Sequence, residues 1–290
     1  MKRKTNDRRS VLMMVASMLI FGTIGVFRRY IPVSSPFLAF ARGLTGGLFI
    51  LLIWILRKKP GDRIPCKTMA GLILSGVMIG INWILLFEAY RYTTIAVATL
   101  CYYMQPTIVV LLSSLVFRER LTARKAVCAV VAVAGMVLVS GVAGGGPAGD
   151  ARGILLGLGA AVFYSGVVIL NKSFGQVNEL KKTAVQLLSA GLAMLPYLLV
   201  TGGFSAENLT PRSLVLLLVV GIVHTGIAYM LYFSSFSGLR VQSVALLSYI
   251  DPVFALLISA LLLREPLTLL NLIGAVMIIG AAAVSEARSD

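Results

Sequence analysis

Tyr102-Tyr103-Met104-Gln105-Pro106, with Arg118-Glu119-Arg120-Leu121-Thr122 after it, is a stretch that the chain writes twice. Its echo is Ser248-Tyr249-Ile250-Asp251-Pro252, followed by Arg264-Glu265-Pro266-Leu267-Thr268. Laid without a gap at an offset of 146, residues 95–122 and 241–268 share the same residue at 10 of 28 positions. Among these are Leu100/Leu246, Tyr103/Tyr249, Pro106/Pro252, Ser113/Ser259, Glu119/Glu265 and Thr122/Thr268. Apolar composition alone does not give that agreement. Each copy sets a proline inside an apolar run of helical length, beside a polar side chain that lipid rejects.

The rest of the chain explains why lipid matters. Of 290 residues, 58% are hydrophobic and 13% charged, whereas a water-soluble domain is about half apolar and about a quarter charged. The composition is that of an all-α integral membrane protein. A net charge of +15 would suit nucleic acid if it formed a basic face on a soluble module. Here the Lys and Arg lie in short breaks between apolar runs, so membrane lipids are the expected partner and nucleic acid is not. Cys66, Cys101 and Cys128 are odd in number and lack metal-ligand spacing, which leaves them as packing residues. Basic residues precede the run Val11–Phe27, as in a signal peptide, but that run ends in Arg28-Arg29 without a small-residue cleavage site, so it is read as the first span.

A membrane helix needs about 20 mostly apolar residues, and ten such runs can be drawn: 10–27, 36–56, 68–88, 94–117, 123–141, 153–170, 182–201, 213–233, 240–263 and 268–285. The breaks, such as Arg57-Lys58-Lys59-Pro60-Gly61-Asp62 and Gly144-Gly145-Gly146-Pro147, are short, and no soluble domain remains. Positive charge collects in cytoplasmic loops. With the N-terminus inside, 19 Lys and Arg fall in inner segments and 6 in outer ones, Arg42 being left within a span. Both termini are expected in the cytoplasm, and the membrane is the plasma membrane or a bacterial inner membrane. An offset of five spans is odd, so the second copy crosses in the opposite sense. The halves, 1–145 and 146–290, form two inverted five-helix repeats. Weaker pairs extend the register: Gly80 with Gly226, Trp83 with Tyr229 and, at an offset of 142 to 144, Phe21 with Phe163 and Arg42 with Gln186. Inverted repeats are a common plan of secondary transporters, whose substrate site lies near the midplane between the halves.

Ten spans in two halves, a proline in spans four and nine, and Arg-Glu-x-Leu-Thr ending each of those spans resemble the EamA branch of the drug/metabolite transporter superfamily. The resemblance covers nearly the whole chain and rests on the paired motif. It implies a carrier for amino acids or similar small metabolites, often an exporter, with a central cavity lined by spans one, three, four, six, eight and nine. Gln105 and Asp251 hold equivalent places with different charge, so the cavity is expected to be asymmetric.

Proline removes a helical hydrogen bond and clashes with the carbonyl four residues back; here the carbonyls of Tyr102 and Ser248 are expected to become available to a ligand. Gln105 and Asp251 lie about 15–16 Å along their spans, near the midplane. An Asp at a helix centre costs about 2.5–3.5 kcal/mol on insertion scales and normally faces the bundle interior. Asp251 is therefore either a proton or cation site or one member of a fixed internal pair with Arg42. Arg42, roughly 9 Å inside the outer end of span two, either snorkels to the headgroups or turns inward to Asp251, Glu88 or a substrate carboxylate. His224, the only histidine, is a candidate proton carrier or a neutral hydrogen-bonding group between helices. Glu88 reads as an interfacial residue paired with Arg91 or as a lining of the outer entrance.

Asn82, Trp83, Tyr102, Tyr103, Tyr164, Tyr229 and Tyr249 cluster in the spans assigned to the cavity. They are candidates for the substrate site, the rings taking apolar or cationic parts and the polar tips fixing orientation; ordinary packing is the alternative. Arg118-Glu119 and Arg264-Glu265 read as hairpin closures, with Thr122 and Thr268 as N-caps of the next spans. Gly76-x3-Gly80, Gly22-x2-Gly25 and Gly153-x3-Gly157 are candidates for close helix approach. No phosphate-binding Gly-x4-Gly-Lys loop points to ATP, and no cofactor or metal is expected. Asn208-Leu209-Thr210 matches a glycosylation acceptor, but Pro211 follows it.

The expected function is gradient-driven, alternating-access transport of amino acids or similar amphipathic metabolites, with protons as a candidate coupling ion and no enzymatic activity. A carrier of organic cations is the alternative, and an intramembrane enzyme the second. A passive channel lacks a ring-forming selectivity motif.

Overall fold

The computed structural model describes residues 2–57, 64–93, 95–118, 121–139, 150–174, 177–203, 209–263 and 268–286. The apolar runs become helices: α1 (Lys2–Gly22), α2 (Ile24–Arg29), α3 (Ser35–Leu56), α4 (Cys66–Tyr92), α5 (Ile95–Tyr102), α6 (Gln105–Val116), α7 (Ala123–Val139), α8 (Ala151–Ser173) and α9 (Glu179–Thr201). Then follow α10 (Pro211–Val219), a π-helical segment (Val220–Ile227), α11 (Ala228–Ser235), α12 (Val241–Leu247), α13 (Ile250–Leu263) and α14 (Leu269–Glu286). All regular structure among the described residues is helical. Eight stretches, from Arg8–Phe27 to Val241–Leu262, are long and apolar enough to cross a membrane. Ala123–Val139, with 17 residues, and Leu269–Val284 are shorter.

Helix starts follow local chemistry. Ser34, Asp150, Asn178 and Thr210 each accept a hydrogen bond from a first-turn N–H that would otherwise lack a partner. Thr122 Oγ1 accepts from Lys125 N at 3.3 Å and Thr268 Oγ1 from Asn271 N at 3.2 Å, the two cap positions read from the repeat. Arg118, at φ 53°, turns the chain out of α6 in the left-handed region. Glu119, Arg120, Arg264, Glu265, Lys58–Arg63, Gly144–Pro147, Asn208 and Arg288 lie outside the described residues, so the paired Arg-Glu hairpins and the glycosylation acceptor do too.

The helices pack with a repeating logic. α3 lies along α9 and α7 along α14; α4 packs on α8 and α9, while α1 packs on α11 and α3 on the π segment. α5 and α6 contact α8, α13 contacts α1, and α12 lies against α6. Exchanging each element for its partner at the repeat offset keeps most of these contacts: α4 on α8 becomes α11 on α1, α4 on α9 becomes the π segment on α3, and α6 on α8 becomes α13 on α1. The contact of α12 with α6 breaks the symmetry, because α5 does not pack on α13 in the same way. Close crossings need missing side chains. A Cβ on Gly43 would meet the Gly191 backbone at 3.1 Å, and one on Gly135 would meet the Gly274 carbonyl at 2.7 Å. Gly76 and Gly80 lie against Gln186–Ser189 and Ala190–Ala193, and Gly22 lies against the Asp251 carbonyl. Gly153 and Gly157 meet Thr93, Ala98 and Cys101. Gly25 corrects the sequence reading, because nothing lies within 4 Å of where its Cβ would be. Cys66 corrects it as well: Cys128 is buried in the core, but Cys66 is exposed at the start of α4.

Candidate functional site

The two repeated stretches become two broken spans. α5 stops at Tyr102, Tyr103 and Met104 turn, and α6 starts at Gln105 with Pro106 in its first turn, where a missing N–H costs nothing. α12 stops at Leu247 and α13 restarts at Ile250. The breaks close differently from the expectation of two free carbonyls. The Ser248 carbonyl accepts from Asp251 N at 3.3 Å, a tightened turn that uses the group proline would have freed.

Across the interface of α12 with α6 the breaks reach for each other. Tyr103 OH donates to Asp251 Oδ2 at 3.2 Å, and Tyr249 OH shares a 2.9 Å hydrogen bond with Thr107 Oγ1. Each half thus sends its break tyrosine to the start of the other half's distal helix. Gln105 is 5% exposed; its carbonyl accepts from Ser165 Oγ at 3.2 Å, while its Nε2 finds no protein partner.

Around Asp251 the aromatics form a continuous cluster. Tyr102 lies 5.5 Å from Tyr103 and 6.1 Å from Tyr164, between ring centroids. Tyr164 stacks on Tyr232 at 6.3 Å, and Phe21 meets Tyr229 edge-on at 5.1 Å. Arg42 turns inward. Its guanidinium carbon lies 4.4 Å from the centroid of the Trp83 ring, within cation–π range, and its buried Nε has no hydrogen-bond partner. Tyr102 and Tyr229 each lie within electrostatic range of both Arg42 and Asp251. The fixed Arg42–Asp251 pair weighed from sequence is not formed: no ion pair joins these two among the described residues, and Tyr103 is the partner of Asp251 instead.

The other candidates divide. Asn82 Nδ2 donates to the Ala160 carbonyl at 2.7 Å, so it clips α4 to α8. His224 lies on the π segment, where its Nε2 is 2.9 Å from Thr23 Oγ1 and its ring meets Phe27 at 4.5 Å. Thr23 already gives its one proton to the Ile20 carbonyl at 2.7 Å. Nε2–H must therefore be the donor in the His224–Thr23 bond. Glu88 is bound by Arg91 at 3.1 Å and by Tyr197 OH from α9, which makes it a helix–helix tie near the end of α4. Gln186, the counterpart of Arg42, is fully buried and donates to Ser75 Oγ at 2.7 Å.

Several residues of this cluster were missed from sequence. Tyr232 is one turn beyond Tyr229 and could have been found by asking which aromatics share that face. Thr107, Thr23 and Tyr197 carry no such signal, because small hydroxyls and single tyrosines recur in most membrane helices.

With this geometry in place, the comparisons with known proteins become decisive. The sequence profile of the EamA-like transporter family matches residues 8–141 and again residues 151–286. The chain belongs to this family. It is similar to the uncharacterized transporter YxxF of Bacillus subtilis (strain 168), 28% identical over 96% of this chain and 90% of the relative. Protein PecM of Dickeya dadantii (strain 3937) is 30% identical over 91% of this chain and 87% of its own length. A solved crystal structure, 23% identical, covers 96% of each chain at a TM-score of 0.81, and so shares the fold. The protein is a transmembrane transporter of the EamA type, within the drug/metabolite transporter superfamily.

Proposed function

We propose that this EamA-type protein is a secondary carrier that exports amino acids or similar small amphipathic metabolites by alternating access. The reading takes the chain as ten spans in two inverted halves, 1–145 and 146–290, with both termini cytoplasmic. Support for two related halves comes from the contacts between elements, most of which survive their exchange, and from the reciprocal reach of Tyr103 and Tyr249; five spans per half, an odd number, would set them in opposite senses. The excess of Lys and Arg on one side supports the orientation.

One observation carries the substrate class: Arg42 and Asp251 are both held at an aromatic cluster without neutralising each other. A cation and an anion left apart in a low-dielectric site are costly, and a zwitterion offsets both charges at once. Its carboxylate would meet Arg42, its ammonium Asp251, and its side chain the rings of Trp83, Tyr102, Tyr164 and Tyr229. When no substrate is bound, a proton on Asp251 would neutralise the carboxylate, which couples the carrier to a pH gradient.

The test is counterflow by the purified protein in liposomes, against amino acids, organic cations and organic acids, with and without a pH gradient. Amino acids should exchange, and the gradient should drive their accumulation. Failure of every solute to exchange would count against the carrier. A second reading, an organic cation held by the rings and Asp251, is favoured by the density of tyrosine around that carboxylate. It predicts that quaternary amines compete and that Arg42→Gln leaves exchange intact.

A further inference from the structure

The break in the first span lies beside a pocket, and at the corresponding place in the other half a methionine packs on an unbroken helix. α1 ends at Gly22 and α2 restarts at Ile24, whereas α8, its partner in the repeat, runs unbroken from Ala151 to Ser173. Between α1, α2, the π segment and α13 lies a pocket of about 420 Å³, walled by Leu19, Val26, Phe27, Val223, Phe254 and Leu262. At the corresponding place in the other half, Met78 stands where His224 would be and its Cε fills the space a side chain on Gly166 would take. One half is plugged by its own methionine, and the other presents an apolar recess.

The chemistry of the walls decides what fits. Six of these side chains are aliphatic or aromatic, and the polar atoms at the wall are largely spent on each other: Thr23 Oγ1 bonds the Ile20 carbonyl and His224 Nε2. The buried His224 Nδ1 lies beside the Val219 backbone without a well-formed hydrogen bond, leaving too few polar groups for an ordered water, which needs two to four. Leu262, on the rim, is 64% exposed on a helix that crosses the membrane, so the recess is continuous with the lipid-facing surface. Wall atoms facing a gap forfeit dispersion contacts, and the material beside this rim in a bilayer is hydrocarbon.

We infer that this pocket binds one alkyl chain of a membrane lipid, seated between α2 and α13.

The inference is tested with the full chain in nanodiscs of phosphatidylethanolamine and phosphatidylglycerol carrying a phospholipid with a photoactivatable diazirine midway along one acyl chain. After illumination, mass spectrometry maps the adducts. Label on residues 19–27, 219–224 and 254–262 should exceed that on the exposed face of α7, at Val127 and Val130, about fivefold. Val223→Trp, which fills the recess, should bring it down to the α7 level while α7 itself is unchanged; Val26→Phe serves if the tryptophan variant does not fold. Label spread evenly over all lipid-facing helices overturns the inference. So does label that neither variant reduces, or label displaced by water-soluble amino acids or quaternary amines, which would assign the recess to the transported solute.

Discussion

In the first half, α5 stops at Tyr102 and α6 restarts at Gln105; in the second, α12 stops at Leu247 and α13 restarts at Ile250. Proline and the preceding tyrosine make the two breaks alike, and each tyrosine crosses to the other half. The charge differs at a single position. Gln105 is buried with an amide that lacks a protein partner, while Asp251 accepts from Tyr103 beside the aromatic cluster. On the proposed reading, the positions that the repeats keep supply the architecture, and the charge that they change supplies the coupling.

That comparison can be broken at its charged end first. Asp251→Asn should reduce solute exchange in liposomes at least about 30-fold, with the protein still monodisperse on size exclusion, because the isosteric amide keeps the fold and removes the charge. Gln105→Ala should lower exchange less than about threefold. Equal losses in both would mean that the two breaks do the same work.

The next largest effect is expected at Arg42. Arg42→Gln should raise KM about tenfold, since a buried hydrogen bond to a charged group contributes about 1.5–3 kcal/mol. A mild effect would instead fit an organic cation held by the rings and Asp251. Its counterpart Gln186 is tied to Ser75, so Gln186→Ala should appear in thermal unfolding, at about 1–3 kcal/mol for the polar group left behind, more than in KM.

The tyrosines separate the breaks on a finer scale. Tyr103→Phe removes the one side-chain donor to Asp251 described here and should slow exchange roughly five- to tenfold, within the range for a charge-assisted bond. Tyr249→Phe removes the bond to Thr107 and should cost about 1 kcal/mol of stability with transport nearly unchanged.

The repeated stretch was legible because proline and its neighbours leave a strong pattern in sequence. Helix positions followed from the length of the apolar runs and the capping threonines from the repeated motif, while the candidates Trp83, Tyr102, Tyr164 and Tyr229 came from the spans that the family resemblance assigns to the cavity. Pairings were not legible. Sequence could not say that Asp251 would take Tyr103 rather than Arg42, or that the Ser248 carbonyl would be recaptured by a tightened turn, because both depend on Ångström-scale register between helices. The Glu88–Arg91 pair was legible at the end of span three, but the partners Ala160 of Asn82 and Tyr197 of Glu88 were not, since they lie on helices far away in the chain. The π segment around His224, which packs on α3, left no signature in the sequence.

The most direct test follows a labelled amino acid into liposomes under an imposed pH gradient, comparing the native chain with Asp251→Asn. The account predicts concentrative accumulation by the native protein, abolished when the gradient is collapsed, and none by the variant at equal reconstituted amount. Undiminished gradient-driven accumulation by Asp251→Asn would contradict it.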